Sequence, residues 1–203
     1  MNRRAMTKQH ALSAALALAL SLPLAACNSA PQETPPLAGA QIGGPFTLVD
    51  HGGRTVRWQD LAGKWRIVYF GYTYCPDACP TDVGVMMRGL DRFLKQHPAE
   101  GAKIQPIFIT IDPQRDTPAR VGEFAEAFGP RLMGLTGTPA QVDQAAKAFA
   151  VYYARGKGSP GGAYLMDHSR IAYLMDPDGK PIAMLPVDKG PDAIAAELAK
   201  WVR

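Results

Sequence analysis

The chain has 203 residues, long enough for one domain with a proper core. Its 47% hydrophobic and 20% charged residues are a globular balance and exclude a disordered or low-complexity protein. The net charge of +4 invites a nucleic-acid reading, but Arg3, Arg4 and Lys8 sit in a leader with no Asp or Glu through residue 27. Without those three, 19 basic residues face 18 acidic ones, and no Lys/Arg block remains that would neutralise a phosphate backbone.

Residues 1–10 are basic and polar, residues 11–22 are apolar, and Leu24-Ala25-Ala26-Cys27 follows. A basic region, a short apolar region and a small-residue site predict a secretory signal peptide over residues 1–27. The Leu-Ala-Ala-Cys pattern also resembles a bacterial lipobox, in which Cys27 becomes the lipidated first residue. A transmembrane anchor needs about 20 apolar residues; this run is shorter and carries Ser13, Ser21 and Pro23. The expected location is the cell envelope, facing the periplasm, with the chain held to the membrane by its lipid. Lipidation uses one of the three cysteines and leaves two. Residues 28–40, rich in Pro, Ala and small polar residues, predict a flexible tether, and residues 41–203 the folded domain.

Pro45–Asp50 and Arg54–Trp58 alternate apolar and polar residues around the turn His51-Gly52-Gly53, which predicts a hairpin. His51 reads as a solvated turn residue. Ile67–Gly71 is β-branched and aromatic without charge, a buried central strand. The loop Tyr72–Cys79 follows, and Pro80 suits the first position of a helix running to about His97. Val83, Met86, Met87, Leu90 and Phe93–Leu94 form its inner face. At this spacing Met86 and Met87 read as core rather than metal ligands, and His97 as a surface residue complementing the helix dipole. Ile104–Ile111 is a second buried strand. Thr117-Pro118 and Thr138-Pro139 are cap-proline pairs opening helices to about Phe128 and Ala150, with a short strand at 132–135 between them. Arg155–Gly162 carries four glycines and reads as a mobile loop. Ile171–Met175 and Ile182–Leu185, joined by Pro177-Asp178-Gly179, form a second hairpin. Pro191 opens the last helix.

Strands alternating with helices, preceded by one hairpin and closed by another with a helix, predict a three-layer α/β domain with a mixed sheet. A reactive loop at the carboxyl end of a central strand, feeding a helix N-terminus, is where such sheets place their chemistry. The arrangement is thioredoxin-like, with an N-terminal hairpin extension.

Cys75 and Cys79 sit in that loop. A structural disulfide is one reading, but a bond closing so small a loop restrains the unfolded chain little. Beside a helix N-terminus the dipole favours thiolate, the form that attacks disulfides and binds metals. With three residues between them, the sulfurs can meet one metal ion or form a disulfide. Two thiolates suit Cu(I), whereas Cu(II) or Zn(II) asks for at least one imidazole more. His168, directly before the strand of the terminal hairpin, is the candidate. A structural zinc site lacks a clear fourth protein ligand.

The stretch Gly71-Tyr72-Thr73-Tyr74-Cys75-Pro76-Asp77-Ala78-Cys79-Pro80-Thr81 resembles the signature of the Sco/SenC family of copper proteins. Ile111-Asp112-Pro113-Gln114-Arg115-Asp116-Thr117-Pro118, and Asp167-His168-Ser169 with Tyr173-Leu174-Met175-Asp176-Pro177-Asp178-Gly179, agree with it in the family's order. The resemblance implies a thioredoxin-like fold, copper held by Cys75, Cys79 and His168, and a metallochaperone role in building the binuclear copper centre of cytochrome c oxidase. The partner would be the copper-accepting subunit of that oxidase or another periplasmic copper protein. Asp77 and Asp112 look like supporting groups, or equally a turn and a strand-end aspartate. The alternative is an enzyme: a thiol-disulfide reductase using Cys75 and Cys79 as a redox pair, or a peroxidase, for which Thr73 is suitably near and His168 has no task.

Overall fold

The computed structural model describes residues 33–158 and 164–203. The expected signal peptide and the lipidation site Cys27 lie outside the described residues, as do residues 28–32 of the expected tether. Among the described residues no helix is long and apolar enough to cross a membrane.

The N-terminal hairpin forms as β1 (Thr47–Val49) and β2 (Thr55–Arg57), antiparallel, with Leu48 opposite Val56. The central strand β3 (Trp65–Gly71) is buried along its whole length, as its uncharged interior demands. Helix α1 (Ala78–Gln96) buries Val83, Met86, Met87, Leu90 and Phe93, so the two methionines are core. His97 ends α1 and stacks on Phe93, ring centroids 4.9 Å apart. A short helix α2 (Pro98–Ala102) follows, which the sequence pattern does not announce. Then come β4 (Ile104–Thr110), α3 (Pro118–Glu126), β5 (Met133–Leu135) and α4 (Pro139–Ala148). Thr117 and Thr138 cap α3 and α4 by accepting from the N–H groups of Arg120 and Gln141, with Pro118 and Pro139 at the first helical positions.

A pair absent from the sequence reading comes next: β6 (Tyr153–Arg155) with β7 (Met166–His168), antiparallel, His168 opposite Tyr153. Arg155 therefore closes a strand rather than opening a loop, and residues 159–162 of the expected mobile loop lie outside the described residues. The chain ends with β8 (Ala172–Met175), β9 (Pro181–Leu185) and α5 (Pro191–Trp201).

The main sheet has the order β5-β4-β3-β8-β9. β4 runs parallel to both β3 and β5, while β8 runs antiparallel to β3 and to β9. The sheet is thus mixed and flanked by helices, as expected. Its register also fixes the site. β3 and β4 are parallel, with Gly71 beside Thr110, so the loops that leave them emerge at one edge. β8 is antiparallel, with Ala172 beside Tyr69, so the residues entering β8 arrive at that same edge. The cysteine loop, the Asp112–Asp116 loop and the His168 segment meet there.

Residues 34–203 form a compact unit, in which Leu37 packs on the core while its N–H donates to the Ile182 carbonyl at 3.1 Å. An apolar side chain and an edge-strand carbonyl capture the segment that proline content alone marks as tether.

Candidate metal centre

Helix α1 starts two residues earlier than the Pro80 expectation. Ala78 is its first residue, so Cys79 lies inside the first turn and Pro80 one position later. Proline is tolerated there because a first-turn N–H has no helical partner to lose. Asp77 at the cap position makes no side-chain cap. The Cys75 sulfur substitutes, accepting the Cys79 N–H at 3.3 Å. Gly71 lets the strand approach the helix, since a Cβ there would meet Cys79 Sγ at 3.0 Å and Phe108 at 2.9 Å.

The two cysteines are free and differ in environment: Cys75 is half-buried, Cys79 fully buried. Burial opposes ionisation of Cys75, but hydrogen bonds from the Cys79 and Asp77 backbone, the Cys79 thiol and the Tyr72 hydroxyl outweigh it and hold this thiol below the usual cysteine value. Burial, reinforced by the Cys75 and Asp82 charges, pushes the Cys79 thiol far up. The two thiols are thus pushed in opposite directions, and the helix-terminal benefit expected for both goes to Cys75 alone.

His168 closes the site from the other side. Its Nε2 is 3.3 Å from Cys79 Sγ, and its Nδ1 is 3.0 Å from the Ser169 carbonyl. A carbonyl only accepts, so Nδ1 carries the proton and the Nε2 lone pair faces the sulfur. Burial holds the imidazole below its usual value, and so neutral, against the opposing pull of the Ser169 carbonyl and Asp82. Tyr69 and Tyr72 both meet the ring edge-on, at 6.3 and 6.0 Å.

Cys79 therefore touches both other predicted residues, Cys75 through its N–H and His168 through its sulfur. Among the described residues no three His, Cys, Asp or Glu side chains converge on one point closely enough to hold a metal as they stand; the Cys75 sulfur is occupied by the Cys79 amide. Cys75 and His168 line one open cavity of about 560 Å³ together with Tyr72, Tyr152, Leu165 and Arg170. A larger cavity of about 760 Å³, lined by His51, Arg54, Lys64 and Arg131, lies away from the cysteines and holds no thiol.

Sequence reasoning named Asp112 among the supports but overlooked Asp116, Asp82 and Arg170. Asp116, wholly buried, accepts from the Thr73 N–H (2.9 Å), the Thr73 hydroxyl (2.6 Å) and the Thr110 hydroxyl (2.6 Å), tying the cysteine loop to the end of β4. Burial nevertheless pushes its carboxyl above the usual value. Asp112 accepts from Tyr164 at 2.9 Å and pairs with Arg115, whose guanidinium lies 3.6 Å over the Tyr164 ring. Asp82 pairs with Arg170. Asp116 and Asp112 stand in the quoted 111–118 motif, so strand-end aspartates beside threonines were the available signal; Arg170 gave none.

Residues 34–203 match the profile of the SCO1/SenC family. SenC of Rhodobacter capsulatus is 47% identical over 141 residues, 69% of this chain and 61% of that protein. The human mitochondrial SCO1 homolog is 38% identical over 162 residues, 80% of this chain and 53% of that protein. The chain thus spans roughly half to three-fifths of these relatives. Among solved structures, Bradyrhizobium japonicum ScoI with copper bound superposes with a TM-score of 0.71 at 37% identity, covering 79% of this chain and 99% of that one.

Proposed function

Because the chain belongs to the SCO1/SenC family, we propose that it is a copper-binding metallochaperone in which Cys75, Cys79 and His168 hold the ion. The observation that carries this reading is the 3.3 Å approach of the neutral His168 Nε2 to Cys79 Sγ, across 89 residues of sequence. Two sulfurs suit Cu(I), and one imidazole extends the donor set toward Cu(II). Cys75 is already disposed to be thiolate, so uptake asks Cys79 to release its proton and Cys75 to release the Cys79 amide. The open cavity leaves room for an acceptor's ligands to replace these one at a time. The acceptor in this reading is the copper-accepting subunit of cytochrome c oxidase or another periplasmic copper protein. Cys27, lipidated after removal of residues 1–26, and a tether beginning at residue 28 would hold the domain at the membrane, facing the periplasm.

The unequal thiols support a second reading, a thiol-disulfide reductase that prepares the acceptor's cysteines. Cys75 would attack, and Cys79 would resolve the mixed disulfide once it loses its proton. A peroxidase has less support, because the Thr73 hydroxyl is committed to Asp116. Copper titration of His168→Ala separates the first two readings. The chaperone reading expects Cu(II) affinity to fall by about 10-fold or more, with disulfide reduction retained. Cu(II) binding equal to wild type would remove His168 from the ligand set.

A further inference from the structure

We propose that Asp82 and Arg170 are a positioning pair that locks the His168 segment onto the cysteine helix. The proposal rests on the copper reading for its purpose, although the latch itself is read from contacts alone.

Asp82 lies three residues after Cys79 on α1, so the two side chains share a helix face. Arg170 lies two residues after His168. The two contacts therefore run side by side: Cys79 to His168, and Asp82 to Arg170. The carboxylate is met in full. Its Oδ1 accepts from Arg170 Nη2 at 2.6 Å, and its Oδ2 from Arg170 Nε at 2.9 Å and the Tyr69 hydroxyl at 2.9 Å. This is the two-pronged guanidinium–carboxylate geometry, which fixes orientation as well as distance. The Asp82 side chain is 2% exposed and the Arg170 side chain 53% exposed. A carboxylate so buried is expensive without partners, so Arg170 is held in place by the cost of leaving Asp82 alone.

The His168 segment needs such a hold. β7 pairs with β6 in a separate two-stranded sheet, outside the five-stranded one. Ser169 bonds Tyr152 in both directions, N–H to carbonyl at 2.9 Å and hydroxyl from the Tyr152 N–H at 3.1 Å, so those bonds also serve the small sheet. Among the described residues, the polar contacts that join residues 166–170 to α1 are the sulfur–imidazole approach itself and the Asp82–Arg170 pair. Without the pair, the sulfur contact would be the one polar contact joining the imidazole to α1, beside its packing against the Tyr69 and Tyr72 rings. Tyr69, on β3, adds a third anchor, so the central strand, the cysteine helix and the histidine segment meet at one carboxylate.

A histidine held loosely would affect the two copper states unequally. Cu(I) is served by two sulfurs, whereas Cu(II) leans on the imidazole. The test uses the folded, reduced chain with Arg170→Ala, Arg170→Lys and the double variant Asp82→Asn/Arg170→Ala, which removes the lone buried carboxylate should the single variant fold poorly. In metal-free protein, the His168 ring NMR signals should shift or broaden in Arg170→Ala and recover partly in Arg170→Lys, which keeps the charge but not the fork. Cu(II) affinity should fall by about 10-fold or more in both alanine variants, as for other groups that orient a ligand, while Cu(I) affinity changes by less than about 3-fold. Unchanged ring signals in both alanine variants overturn the latch. Moved ring signals with Cu(II) affinity unchanged, or equal losses of Cu(I) and Cu(II), overturn its role at the metal. A wild-type chain that binds no copper while the ring signals still move in Arg170→Ala sinks the copper reading and leaves the latch standing.

Discussion

Cys75 and Cys79 share a loop but not a chemistry. Cys75 collects amide and hydroxyl donors at the mouth of the helix, and Cys79 is sealed beneath His168 and pushed toward the thiol by burial. Alkylation should report the difference. In the reduced, metal-free protein, iodoacetamide should modify Cys75 first, with a rate that reaches half its plateau at a pH below the usual cysteine value of about 8.5. The sign follows from the lowered Cys75 value: more thiolate is present at a given pH than in a free cysteine. Peptide mass spectrometry across pH 5–9 (roughly the range spanning that titration) checks it. Equal labelling of both residues, or Cys79 reacting first, would contradict the assignment. The cysteine spacing was visible in the sequence because each residue type is itself the signal. The split between them was not, because it arises from burial and from amides that only the folded loop aims at one sulfur.

Among the elements, α1 carries the site at one end and packs along α5 further on. At Gly89 the two helices approach closely: a Cβ there would come within 2.4 Å of Ile194 Cβ and 2.9 Å of the Pro191 carbonyl. Gly89→Ala gains intrinsic helix propensity, worth up to about 1 kcal/mol, yet overpacks the interface at a cost of about 1–3 kcal/mol. The clash should win, because backbone cannot retreat as a side-chain tip can. Urea unfolding should show a net loss of stability, and a variant as stable as wild type would mean the helices separate freely. Strands and helices with strong periodicity or cap-proline pairs were legible from sequence. α2, β6 and β7 were not: each is five residues or fewer, and none has the turn signal that marked the equally short β1 and β2.

At the scale of the molecule, residues 34–203 group as one compact unit, which takes in residues 34–40. Leu37 contributes apolar burial and one backbone hydrogen bond to the edge strand β9. A chain beginning at Thr34 should melt as the full domain does. One beginning at Gln41 should lose about 1–2 kcal/mol of burial, which for a domain of this size lowers Tm by about 2–4 °C per kcal/mol. Identical melting of the two chains would return residues 34–40 to the tether.

The sequence by itself determined the fold class and the cysteine pair at the end of the central strand, and pointed to His168 as the candidate partner, because local pattern and residue chemistry carry that information. Only the tertiary structure decided that the antiparallel β8 delivers His168 to the cysteine edge of the sheet. It also decided that one sulfur is disposed to be thiolate and the other thiol, and that Arg170 reaches Asp82. Each of these depends on groups 88 or more residues apart, or on desolvation by the packed core, and neither quantity exists in an unfolded chain.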